Sequence, residues 1–129
     1  MAASGATVIA GATGAMGKGA TFSTADDAAK VAEEEGRSLE VIDLRGLSPL
    51  DTPTLFASVR KTGRLVVVHE ASSFMGFGAE IAATAAEVTG CKVRRLGAPR
   101  VPVGYAPTLE VRARVGADAI AAAATGMMG

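Results

Sequence analysis

Tryptophan is absent from this 129-residue chain, and cysteine, histidine and tyrosine occur once each. The lone Cys91 can close no internal disulfide and supply no multi-cysteine zinc site, which fits a reducing, cytoplasmic setting. Net charge is missing as well, because 13 basic and 13 acidic side chains cancel. Without a long-range field, and with no basic face interleaved with aromatics, nucleic acid and anionic membrane are poor partners. No apolar run reaches the roughly 18 residues needed to span a bilayer. The opening "MAASGATV" lacks both the basic region and the long apolar core of a secretory signal. The chain therefore reads as soluble.

Hydrophobic residues make up 49% of the sequence and charged residues 20%, enough to bury a core. The length suits one domain, 1–129, with no internal repeat and no boundary. Four β-like runs, 7–10, 39–44, 64–70 and 92–96, alternate with three helix-like stretches, 25–36, 51–63 and 76–90, each ending at a glycine. Such alternation builds βαβ units and a mostly parallel sheet. Thr24 with Asp27 three residues on has the form of a capping box, and Asp51 after "SP" is placed to cap the second helix. The "VVV" centre of the third run has no polar alternation, as in a strand covered on both faces. Beyond residue 97 a proline- and glycine-rich stretch leads to "LEVRARV" (109–115), whose alternation fits an exposed edge strand. The tail offers a short alanine-rich helix and a frayed end.

Gly11, Gly14 and Gly17 follow the first strand with a spacing close to some dinucleotide-binding turns, and Asp43 ends the next strand where a ribose-binding acid would sit. The spacing is not G-x-G-x-x-G, and half of a two-part dinucleotide fold is all the length allows. Ending at Lys18, the loop also resembles a phosphate cradle, but Gly19 replaces the Ser or Thr that binds magnesium. A flexible connector is the preferred reading, and a small nucleotide-binding module using Gly11, Gly14, Gly17 and Lys18 is the alternative.

His69 and Glu70 end the third run, with Ser72 and Ser73 just beyond. Carboxyl ends of parallel strands face the ligand crevice, so a hydrolase with His69 as base is one reading. No G-x-S-x-G elbow surrounds either serine. Cys91 precedes the fourth strand and lies at the opposite end from His69, roughly 15 Å away at about 3.3 Å per residue, so a Cys–His dyad is not expected. A hydrogen-bonded or interface histidine and a buried, inert thiol are the preferred readings.

Three long strings carry a resemblance: "EVIDLR-x-LSPLD" (40–51), "S-V-x-KTGRLVVVHEA" (58–71) and "GFGAEIAA" (76–83), with "VRRLGAPRVPVGYAPTLE" (93–110) after them. With these, the chain from Gly19 resembles the C-terminal domain of the β subunit of thiamine-dependent 2-oxo acid dehydrogenases, a transketolase C-terminal-like fold. The resemblance implies a three-layer α/β/α domain with a small mixed, mostly parallel sheet, one strand running antiparallel. It further implies a decarboxylase component of two α and two β subunits, acting on pyruvate or branched-chain 2-oxo acids. In that component thiamine diphosphate and magnesium lie between the α subunit and the β subunit's N-terminal domain, while the β C-terminal domain builds the β–β contact and helps dock the acyltransferase. No cofactor, no metal and no catalytic residue is then expected in this chain, which would be inactive alone and form a homodimer or join other subunits. Gly11–Lys18 looks like an insertion relative to that family.

His69, Glu70, Phe74, Gly76, Phe77 and Gly78 are the candidate interface residues: two aromatic rings and two side-chain-free positions at a helix start. Glycine permits close backbone approach, and buried aromatic rings dominate interface energetics. The alternative is that Phe74 and Phe77 fill the domain's own core.

Overall fold

The computed structural model describes residues 5–11, 20–44, 51–72, 76–98 and 115–128. Strands β1 (Gly5–Gly11), β2 (Ser38–Leu44), β3 (Arg64–Ser72) and β4 (Lys92–Ala98) alternate with helices α1 (Ala20–Glu34), α2 (Thr52–Thr62) and α3 (Phe77–Thr89), and helix α4 (Ala117–Met128) follows. Among the described residues the strands form one sheet in the order β2-β1-β3-β4, every pair parallel. The edge strand expected over 109–115 falls, except for Val115, outside the described residues.

β3 shows how the layers arise. Its side chains alternate between faces, and both faces are apolar: Val66 and Val68 join Ala25, Ala28, Ile120, Ala121 and Ala124, while Leu65 and Val67 join Leu55, Val59, Ile81, Ala82 and Ala85. Helices α1 and α4 therefore cover one face of the sheet and α2 and α3 the other. Small side chains on α1 and α4 let those helices approach closely, and Met127 and Met128 pack against the same cluster. The expected frayed tail is thus helix through Met128, because its methionines have apolar surface to cover.

The three expected glycine stops hold. Gly36, Gly63 and Gly90 all take positive φ, at 74°, 70° and 68°, a backbone region that only glycine enters without strain. Asp51 caps α2 as expected, its carboxylate accepting from the Thr54 N–H at 3.2 Å and the Thr54 hydroxyl at 2.7 Å. The capping box expected at Thr24 is corrected: α1 begins at Ala20, so Thr24 and Asp27 lie inside it, and Asp27 instead pairs with Lys30 at 3.6 Å. A capping pattern acts only at a free helix end, and here the helix has already begun four residues earlier.

Two polar devices join helices to the sheet at its amino end. Thr7 on β1 is buried, and its hydroxyl is 2.8 Å from those of both Ser58 and Thr62 on α2. The Thr62 hydroxyl is also within reach of the Ser58 and Arg64 carbonyls, at 3.3 and 3.0 Å, its single proton going to one acceptor at a time. Thr7→Val keeps shape and removes the shared partner, so chemical denaturation should show a loss of about 1–2 kcal/mol. Arg64, first in β3, donates from Nε to the Met127 carbonyl at 3.1 Å and from Nη1 to the Gly5 and Thr62 carbonyls at 3.1 and 3.3 Å. One guanidinium thus serves the carboxyl ends of α2 and α4, where cations meet unpaired carbonyls and the negative helix pole.

Nearby, Lys61 donates to Glu40 Oε2 at 2.9 Å. That hydrogen bond, with the lysine's charge and the Ser58 hydroxyl, holds the Glu40 carboxyl below the usual carboxylate range despite some opposition from burial. A carboxyl lowered on folding adds stability above its unfolded value and loses it as the pH falls through the folded one. Both side chains are well exposed, so solvent screening keeps the contribution below about 1 kcal/mol. In acid titrations of stability, Glu40→Gln should remove a small part of the decline between pH about 4.3 and the lowered folded value; an unchanged profile would place the pair outside the stability balance.

Candidate functional site

β1 connects to β2 on one side and β3 to β4 on the other, so the direction of winding reverses between β1 and β3. In open parallel sheets that reversal opens a crevice outside the carboxyl ends of the strands. His69 lies toward the carboxyl end of β3, at the start of an irregularity. Val68 pairs with Leu96 and Ser72 with Ala98, leaving His69, Glu70 and Ala71 opposite Gly97 alone. Extra residues of this kind bend a strand and re-aim its side chains.

His69 is 7% exposed. Its imidazole lies directly against the backbone of Gly78, where an added Cβ would overlap the ring's Nε2 and Cδ2 and come within 3.1 Å of Val67. Gly78 is therefore glycine because β3 places a ring where its side chain would be. Gly76 takes the N-cap position of α3 in extended conformation, with φ −75° and ψ 164°, and no side chain caps the helix there. Phe77 begins α3 and is 42% exposed. Its ring is not fully taken up by the domain's own core.

Of the six interface candidates, His69, Gly76, Phe77 and Gly78 come together where β3 passes into α3. Glu70 follows in β3, and Phe74 lies outside the described residues. Ser72 ends β3, and Ser73 lies outside the described residues. Gly11 ends β1, while Gly14, Gly17 and Lys18 lie outside the described residues. Asp43 pairs in register with Ala10 near the carboxyl end of β2. Cys91 stands between α3 and β4 at the amino end of the sheet, partly buried against the cluster of Leu55, Val67 and Ile81, far from His69 as expected. A recess of about 250 Å³ at that same end is lined by Gly5, Ser38, Glu40, Lys61 and Thr62, where the two charges already pair.

Among the described residues, no three His, Cys, Asp or Glu side chains group as a metal site, and no helix is long and apolar enough to cross a membrane.

A parallel sheet of order 2-1-3-4 between two helical layers, with its irregular strand end against a helix start, defines an α/β domain of the transketolase C-terminal type. The family model "Transketolase, C-terminal domain" matches residues 16–120, and the chain belongs to that family. It is 48% identical over 87 residues to a β subunit of mitochondrial pyruvate dehydrogenase from Pisum sativum, covering 64% of this chain and 24% of that protein. It is 38% identical over 96 residues to the β subunit of acetoin:2,6-dichlorophenolindophenol oxidoreductase from Bacillus subtilis, covering 71% and 28%. A β subunit of 2-oxoisovalerate dehydrogenase from Arabidopsis thaliana is 51% identical over 72 residues, covering 56% and 20%. The chain thus spans about a quarter of the length of these relatives. Among solved structures, a split-gene transketolase described as an inactive tetramer of β subunits superposes with a TM-score of 0.82 at 28% identity, covering 97% of this chain and 39% of that one.

Residue types alone locate this corner but not the reason Gly78 is small. The signal was available: a histidine ending one strand and a glycine in the first turn of the next helix.

Proposed function

We propose that this chain acts as a non-catalytic assembly domain of a 2-oxo acid dehydrogenase β subunit. It joins copies of itself and docks other subunits of a complex that oxidatively decarboxylates pyruvate or branched-chain 2-oxo acids. Thiamine diphosphate and magnesium would be held by parts of the assembly outside the residues described. The observation that carries the reading is the β3–α3 corner, in a chain whose relatives include three dehydrogenase or oxidoreductase β subunits. There an exposed Phe77 stands between two side-chain-free positions, Gly76 and Gly78, and Gly78 lies against a buried His69. Aromatic anchors beside bare backbone suit close protein–protein approach.

Calorimetric titration with the subunit-binding domain of the acyltransferase tests the docking part. Saturable binding is expected, weakened at least about tenfold by Phe77→Ser, as for loss of a central aromatic anchor. No binding by the folded chain, or binding indifferent to Phe77, contradicts a docking role for this corner.

A further inference from the structure

The last turn of α4 is built from poor helix formers. Thr125 is β-branched, and Gly126 carries no side chain although a Cβ there would meet nothing within 4 Å, so neither propensity nor crowding accounts for its helical state. Contact with the sheet layer holds it. Upstream, α4 enters the core through Ile120, Ala121 and Ala124, one large side chain and two methyl groups. Beyond Ala124 the large apolar side chains are Met127 and Met128, and both pack against the same cluster, which includes Val66 and Val68 of β3. The Met127 carbonyl accepts from Arg64 Nε at 3.1 Å. Packing and the backbone anchor thus meet in one turn.

Both methionines are half-buried. A fully buried thioether is shielded from oxidants, and a fully exposed one has no packing to lose; a half-buried one is open to a small oxidant while its apolar character is in use. We infer that Met127 and Met128 form a reversible oxidation site for hydroperoxides, whose conversion to sulfoxides releases the carboxyl end of α4 from the sheet. In the step, a methionine sulfur attacks one oxygen of hydrogen peroxide, the O–O bond breaks, an S=O bond forms and the other oxygen leaves as water. Sulfur gives up two electrons and the peroxide gains them. The sulfoxide is polar and cannot cover Val66 and Val68 without burying an unpaired oxygen, so the turn leaves the cluster and the Met127 carbonyl leaves Arg64.

The intact chain is treated with dilute hydrogen peroxide, the oxidised positions are mapped by mass spectrometry, and amide hydrogen exchange is compared before and after. Both methionines should each gain one oxygen while circular dichroism shows a folded chain. Exchange over 121–128 should accelerate about tenfold or more while exchange over 52–62 holds. Methionine sulfoxide reductases of both epimer specificities should restore slow exchange. The M127L/M128L variant keeps apolar side chains without oxidisable sulfur, so peroxide should leave its exchange over 121–128 unchanged, although Cys91, Met1, Met16 and Met75 remain. The M127Q/M128Q variant, polar at similar length, should exchange fast there without peroxide. Resistance of either methionine in the folded chain overturns the inference, as does slow exchange over 121–128 once both are oxidised or in M127Q/M128Q. Equal acceleration in M127L/M128L, or acceleration over 52–62 to the same extent, also overturns it. Any of these results leaves the assembly reading standing, because α4 and α3 cover opposite faces of the sheet.

Discussion

Gly78→Ala should destabilise the domain by about 2 kcal/mol, the cost of forcing a methyl into a filled space. The sign is the informative part. In an unhindered helix, glycine to alanine stabilises by roughly 0.5–1 kcal/mol, because alanine has less backbone entropy to lose. The opposite sign is expected here because the added Cβ would overlap the His69 imidazole, with Val67 close behind it. Burial of His69 restricts the space into which its ring could move. Removing the ring should therefore restore the ordinary preference: in a His69→Ala background, Gly78→Ala should be neutral or stabilising. The two changes should couple by about 2 kcal/mol in a double-mutant cycle read by urea denaturation. A stabilising Gly78→Ala in the unaltered chain would show that β3 and α3 do not meet as described.

Loss of the Arg64 guanidinium is expected to cost about 3 kcal/mol, since charge-assisted hydrogen bonds contribute roughly 1.5–3 kcal/mol and several partners are left unmet. Arg64→Met keeps the apolar stem while abandoning the carbonyls of Gly5, Thr62 and Met127. Arg64→Lys should recover little, because a single ammonium cannot span acceptors that the planar fork reaches together. The damage should be greatest in α4, whose last turn Arg64 ties to the sheet. Amide hydrogen exchange over residues 117–128 should accelerate more in Arg64→Met than exchange over 52–62, where Asp51 still caps the first turn and Gly63 the last. Equal acceleration in both helices, or none, would contradict the stapling role.

These expectations also show where the sequence was legible. Glycine stops at 36, 63 and 90, the Asp51 cap and the unbroken apolar run of β3 are local signals, and each was found where its chemistry required. The missed features all depend on partners distant in sequence. Arg64 reads as one more surface cation until α4, 63 residues on, brings the Met127 carbonyl to it. Thr7 reads as a strand residue until α2 brings two hydroxyls beside it. Thr24 misled because a capping pattern needs a free helix end, and α1 already began at Ala20. At the corner, residue types located His69, Phe77 and Gly78, but only the packing of β3 on α3 showed that the glycine yields space to the ring.

The chemistry of the relatives belongs to proteins of which this chain matches only about a quarter, so the central claim for this chain concerns contact between polypeptides. Sedimentation velocity of the purified chain over a wide concentration range tests it most directly. The account predicts a concentration-dependent shift from monomer to dimer or larger species. A folded chain that sediments as a monomer at every concentration, with and without the acyltransferase's subunit-binding domain, would contradict it.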